Sequence, residues 1–204
     1  MRLRNGIILG IVLFVITWVS TTSATENRDH ARSMVQGLMG EAAEILSGQE
    51  ETLARRENRF HTLLRSKIDF QFLSSLVIGR YWPQMTQEQK QEFRALFSDF
   101  FLKSYAPLLG GYPDDMTSLT GTRKFGLRDF IVETEIKRPK RRNVRTNWRI
   151  RHAEGVFRII DIEISGTSVG FSHKSGFTAL IRKKGIDGLL DLLRIRAEKV
   201  STQP

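Results

Sequence analysis

The chain has 204 residues, no cysteine, and a formal net charge of +10. Absence of cysteine excludes disulfide frameworks and thiolate chemistry. A sequence pI of about 10.3 points to anionic partners, either nucleic acid or the surface of an anionic membrane.

Residues 1–24 read as a signal peptide. Arg2 and Arg4 form a positive start, Ile7 to Val19 is a thirteen-residue apolar run, and Thr22-Ser23-Ala24 supplies small residues for cleavage. Thirteen residues rise only about 20 Å as a helix, short of the roughly 30 Å hydrocarbon core. An uncleaved membrane anchor is the alternative. Export places residues 25–204 outside the cytoplasm as a single domain of 180 residues and charge +8, once the two leading arginines are removed. An exported protein meets anionic lipid rather than nucleic acid.

Thr25 to His30 is polar and reads as frayed. Met34, Val35, Leu38, Met39, Ala42, Ile45 and Leu46 then follow helical spacing, and Ser47-Gly48 ends that helix. Leu53, Phe60, Leu63, Leu64 and Ile68 mark a second helix. The stretch from Ile68 to Tyr112 organises the rest. Phe72, Leu73, Leu76 and Val77 recur at helical spacing up to Gly79, and Pro83 interrupts. Thr86 with Gln89 three residues on is a capping box that starts another helix. Its apolar face is Phe93, Leu96, Phe97, Phe100, Phe101, Tyr105 and Leu108, and Gly110-Gly111 stops it. Two readings of this stripe stand side by side: an ordinary packed core, or a wall of rings lining a cavity for an apolar ligand.

After Pro113-Asp114-Asp115 the period changes. Phe130, Val132, Thr134 and Ile136 alternate with Asp129, Ile131, Glu133 and Glu135, as do Val144, Thr146, Trp148 and Ile150 with Arg145, Asn147, Arg149 and Arg151. Ala153-Glu154-Gly155 reads as a hairpin turn before a strand over Val156–Ile164, and a short strand is expected around Val169 and Phe171. The C-terminal part is helical through Phe177, Leu180 and Ile181, breaks at Gly185 and resumes at Leu189. Helices followed by an antiparallel meander predict an α+β fold with helices over one face of the sheet.

The catalytic inventory is poor, and no enzyme is expected. His30, His61, His152 and His173 lie far apart without metal-site spacing, and there is no nucleophile elbow, phosphate loop or dinucleotide fingerprint. Asp161 interrupts an apolar strand and reads as a structural acid paired with a neighbouring base. Between Lys137 and Arg151 stand eight Lys or Arg and no acid. Such a run is either a charged sheet edge that blocks aggregation or an electrostatic docking surface, where each base near an anionic membrane adds on the order of 1 kcal/mol.

These residues together resemble the MlaC or toluene-tolerance family of periplasmic phospholipid-binding proteins. The likeness is carried by Ile68-Asp69-Phe70, the run from Leu76 to Trp82, Thr86 to Gln89, Phe93 with Phe97, and Tyr105. Phe157 to Ile162, Gly166-Thr167-Ser168, Phe177 and Gly185 to Leu189 complete it. It spans about Ala31 to Arg196. Departures are Ser172 to Gly176, where an aromatic-Arg-Ser-Gln run is usual, Phe157 for a tryptophan, and the strongly basic Lys137 to Arg142.

The resemblance implies an NTF2/cystatin-like fold, in which helices and a curved antiparallel sheet enclose an apolar cavity. It implies a monomeric periplasmic carrier with no cofactor, its cargo a bound phospholipid. The carrier would shuttle lipid between an inner-membrane ABC lipid transporter and an outer-membrane lipoprotein partner, maintaining outer-membrane lipid asymmetry. On that footing Phe72, Leu76, Trp82, Phe93, Phe97, Phe100, Phe101, Tyr105, Val132, Trp148, Phe171 and Phe177 are the candidate lipid-contacting residues. Arg145, Arg149 and Arg151 are the candidates for docking and head-group contact, and no metal site is expected. A subgroup linked to hopanoid lipids is similar as well, and a basic nucleic-acid or anionic-surface binding protein is the rival class.

Overall fold

The computed structural model describes residues 22–139 and 141–201. Residues 1–21, most of the expected signal peptide, lie outside the described residues, and no described helix is long and apolar enough to cross a membrane. Helix α1 (Thr22–Ser47) runs through the stretch expected to be frayed. No Gly or Pro interrupts Thr25 to His30, and the next turns bury Ala31, Val35, Leu38, Ala42 and Leu46 as one stripe. That burial anchors the polar turns ahead of it.

Helix α2 (Leu53–Lys67) is capped by Thr52 and buries Phe60, Leu63 and Leu64. Its exit at Ile68 is extended and bridges to Ile159, with the Asp69 amide donating to the Ile159 carbonyl at 2.8 Å. The Asp69 carboxylate then accepts from the Phe72 amide at 2.8 Å and opens α3 (Phe70–Ile78). Gly79, at φ 58, ends α3 in a conformation that side chains avoid. A 3₁₀ turn over Gly79–Gln84 carries Pro83 to the expected capping box. There the Gln89 amide donates to Thr86 Oγ1 at 3.2 Å and the Thr86 amide to Gln89 Oε1 at 3.0 Å. Helix α4 (Gln87–Tyr105) follows, burying Phe93, Phe97, Phe101 and Leu102.

The sheet is an antiparallel meander in the order β1 (Met116–Phe125), β2 (Asp129–Lys137), β3 (Val144–Ala153), β4 (Val156–Ile164) and β5 (Thr167–Ser168). Glu154 and Gly155, at φ 52 and 74, form the β3–β4 turn, the doubly positive geometry of a tight hairpin. Phe130, Val132, Trp148, Ile150, Ile159 and Ile162 meet the helices in one hydrophobic cluster that reaches from Ala31 to Leu193.

The strand expected around Val169 and Phe171 is a correction. Val169 already belongs to α5 (Val169–Ser201), because Asp161 accepts from Ser168 Oγ at 2.6 Å and from the Gly170 amide at 3.0 Å. Ser168 Oγ in turn accepts from the Phe171 amide at 3.0 Å. These bonds satisfy donors at a helix start. Asp161 is structural, as expected, but its partners are a hydroxyl and amides rather than a base. Within α5 the expected break stands at Gly185, at φ 74 and ψ 179.

Candidate functional site

An apolar cavity of about 440 Å³ opens between α1, α2 and the segment that follows α4. Leu38, Ala42 and Leu46 line it from α1, and Phe60 and Leu64 line it from α2. Each set repeats every four residues, so each is one edge of an amphipathic face. Trp148 of β3 lines the cavity from the sheet. Its Nε1–H donates to Thr134 Oγ1 at 2.9 Å, which satisfies the buried indole and fixes the ring. Ala42 and Gly110 contribute almost no side-chain volume, leaving room where larger residues would close the space. Tyr112 and Met116, 40% and 71% exposed, bring apolar surface to the mouth.

A larger space of about 860 Å³ lies on the other side of the sheet, lined by charges of both signs, among them Glu133, Arg138, Arg145 and Glu163. Charged walls strand nothing in water but reject hydrocarbon. The smaller cavity is the better seat for an apolar ligand.

Of the residues expected to touch lipid, Trp148 lines this cavity. Phe93, Phe97, Phe101, Val132 and Phe177 are buried in the core. Phe97 is ringed by Phe70, Phe93, Phe101, Phe177 and His173 at centroid distances of 5.4–6.5 Å. Tyr105 is half-buried, its hydroxyl 2.8 Å from His173 Nε2, and Phe100 meets the same imidazole edge-on at 5.3 Å. Burial, reinforced by the charge of Arg196, pushes His173 below its usual pKa of 6.5. The lowering favours the neutral imidazole, which shares a hydrogen bond with the Tyr105 hydroxyl in either tautomer. Trp82 is half-buried with Lys90 Nζ over its ring at 5.8 Å. Leu76 and the exposed Phe171 line a separate cleft of about 310 Å³ beside Ile131 and Arg149. Phe72 sits half-buried beneath the Arg151 guanidinium at 4.6 Å.

The docking candidates divide in the same way. Arg145 is exposed. Arg149 and Arg151 both clamp Asp129, at 2.6 Å and 2.8 Å, and every oxygen of that carboxylate is engaged. Burial pushes Asp129 upward, but the hydrogen bonds and charges of Arg151 and Arg149 outweigh it and hold the carboxyl below its usual 3.8.

Sequence reasoning placed Leu38, Ala42, Leu46, Phe60 and Leu64 on helix faces without singling them out as a site. An amphipathic period is identical for a side chain that fills a core and one that borders a cavity, so no signal in the sequence separates them. Among the described residues no group of three His, Asp or Glu is placed to hold a metal ion.

The family model described as "MlaC protein" matches residues 36–195. The chain belongs to the MlaC family. The MlaC of Haemophilus influenzae, the binding protein of an intermembrane phospholipid transport system, is 20% identical over 91% of this chain and 92% of its own length. A phospholipid-binding protein from Ralstonia solanacearum, solved in complex with a phospholipid, superposes with a TM-score of 0.74 at 21% identity. That match covers 84% of this chain and 99% of the Ralstonia chain, and it shows the same fold. Neither relative speaks for a hopanoid ligand. The MlaC match covers every residue that lines the apolar cavity.

Proposed function

We propose that this MlaC-family chain is a non-enzymatic periplasmic carrier that moves phospholipid between an inner-membrane ABC transporter and an outer-membrane lipoprotein. The carrying observation is the apolar cavity between α1, α2 and Trp148, open at Tyr112 and Met116, in a chain of this family. Taking a methylene as about one water's share of liquid, roughly 30 Å³, 440 Å³ accommodates on the order of one acyl chain. A second chain requires α1 and α2 to separate further from the sheet.

Burying a methylene from water is worth roughly 0.8 kcal/mol, so a seated acyl chain is not lost to solvent. Exchange with another apolar cavity or a bilayer replaces hydrocarbon by hydrocarbon and is nearly balanced. Direction therefore comes from the partners, not from the carrier. The signal-peptide pattern of residues 1–24 supports a periplasmic setting.

The test is extraction of purified protein with organic solvent followed by mass spectrometry. Near one phospholipid per chain is expected. Protein that is consistently empty, and that takes up no phospholipid from vesicles, overturns the reading.

A further inference from the structure

Beside the apolar cavity, Asp115 gathers the buried Arg138 and the exposed Arg141 into a charge cluster that the fold does not fully satisfy. The Asp115 side chain, inaccessible to solvent, lines the cavity. Its Oδ1 accepts from Arg141 Nη2 at 3.1 Å, whereas Oδ2 stands 3.6 Å from Arg138 Nε, too far for a hydrogen bond. Both Asp115 Oδ2 and Arg138 Nε are buried without a hydrogen-bond partner. Buried ions are tolerated only when geometry and hydrogen bonding are good, and here two atoms of one pair fall short.

Arg138 and Arg141 are nonetheless well placed. Arg138 is 8% exposed and donates through Nη2 to the Pro107 carbonyl at 2.7 Å. Arg141 stacks its guanidinium 3.7 Å from the ring centroid of Tyr112, itself a cavity residue. Both cations face the buried Asp115 side chain, which has the exposed Asp114 beside it. Arg138 also lines the charged space on the other side of the sheet, so the cluster stands between the two spaces.

We propose that Arg138 and Arg141 seat the phosphate of a lipid whose acyl chain lies in the apolar cavity, and that Asp115 holds the two guanidinium groups while the site is empty. This rests on the carrier reading above. The oxygens of a phosphodiester accept from guanidinium groups in forked pairs, which would meet the Arg138 Nε–H that Asp115 leaves unpaired. Burial also pushes Asp115 above its usual 3.8 in spite of both arginines, so it is a weak competitor for them. The contrast with Asp129 decides between the two arginine pairs. Arg149 and Arg151 saturate Asp129 and hold it low, leaving neither carboxylate oxygen unpaired.

The experiment uses delipidated protein and three probes: a fluorescent phosphatidylglycerol, a diacylglycerol with the same labelled chain, and inorganic phosphate. Arg141→Gln should weaken phosphatidylglycerol about tenfold, about 1.4 kcal/mol, and leave diacylglycerol unchanged. Arg141→Lys should lie between, and the charge-matched surface control Arg182→Gln should behave as wild type. Asp115→Asn should gain more thermal stabilisation than wild type when phosphatidylglycerol is added. Unchanged phosphatidylglycerol affinity in Arg141→Gln overturns the phosphate seat while uptake of both lipids keeps the carrier reading. Uptake of neither lipid by wild type overturns both. Inorganic phosphate should bind far more weakly than the lipid, since it leaves the cavity empty. Saturation at equal or lower concentration assigns the arginines to a free anion and overturns the head-group role.

Discussion

His173 and Phe97 show what single residues do in the seam between α4 and α5. His173 is hydrogen-bonded to the Tyr105 hydroxyl, and its pKa is lowered by burial and by Arg196. A histidine depressed in the folded state supports stability fully above its unfolded pKa, and that support is lost as pH falls below it toward the folded value. Thermal melts should therefore drop as pH falls below 6.5. His61, also depressed chiefly by burial, adds to the same slope. His173→Gln keeps a hydrogen-bonding group for Tyr105 and removes one titration, so its melting temperature should fall less over that range. An unchanged slope would place the pH dependence elsewhere. Phe97, fully buried among five rings, should cost about 3–5 kcal/mol on truncation to alanine. Phe60 borders empty space, so Phe60→Ala should cost less in the same urea titration. Equal costs would mean that the cavity is closed in solution.

At the scale of elements, Gly185 divides α5 in a region of backbone space open almost only to glycine. A Cβ there would meet nothing within 4 Å, so Gly185→Ala isolates backbone strain. A loss of about 1–3 kcal/mol is expected; a neutral effect would show that the kink relaxes freely. Hydrogen exchange should distinguish the helices by function. Loading with phospholipid should raise protection in α1 and α2, which border the cavity, and leave α4 unchanged. A gain confined to α4 would restore the reading of its rings as the lipid wall. Elements were largely legible because their signals are local: the Thr86–Gln89 capping box, the alternation in β2 and β3, and the glycine at 185. β1 carries no clear strand signal, since Thr, Ser, Gly, Arg and Lys interrupt its alternation and its pairing is set by β2. The start of α5 was misplaced because its caps, Asp161 and Ser168, are brought together by the β4–β5 turn. The site was less legible for a related reason. Whether Phe97 or Phe60 meets ligand depends on where the helices leave space, and periodicity reports only which face turns inward.

In the whole molecule, the space between α1, α2 and Trp148 is the proposed seat of an acyl chain. Ala42, 8% exposed on α1, is the residue whose small size keeps that space open. Thr117 borders it from β1. Enlarging either should fill the cavity without burying a charge, and a cavity-filling side chain tends to preserve or raise stability. Native mass spectrometry of purified wild type, Ala42→Phe and Thr117→Phe, each checked by a circular dichroism melt, tests the claim most directly. A phospholipid-mass adduct is expected on wild type at near one per chain, and its loss from whichever variants retain a cooperative melt. Folded variants carrying the adduct at the wild-type level would contradict it.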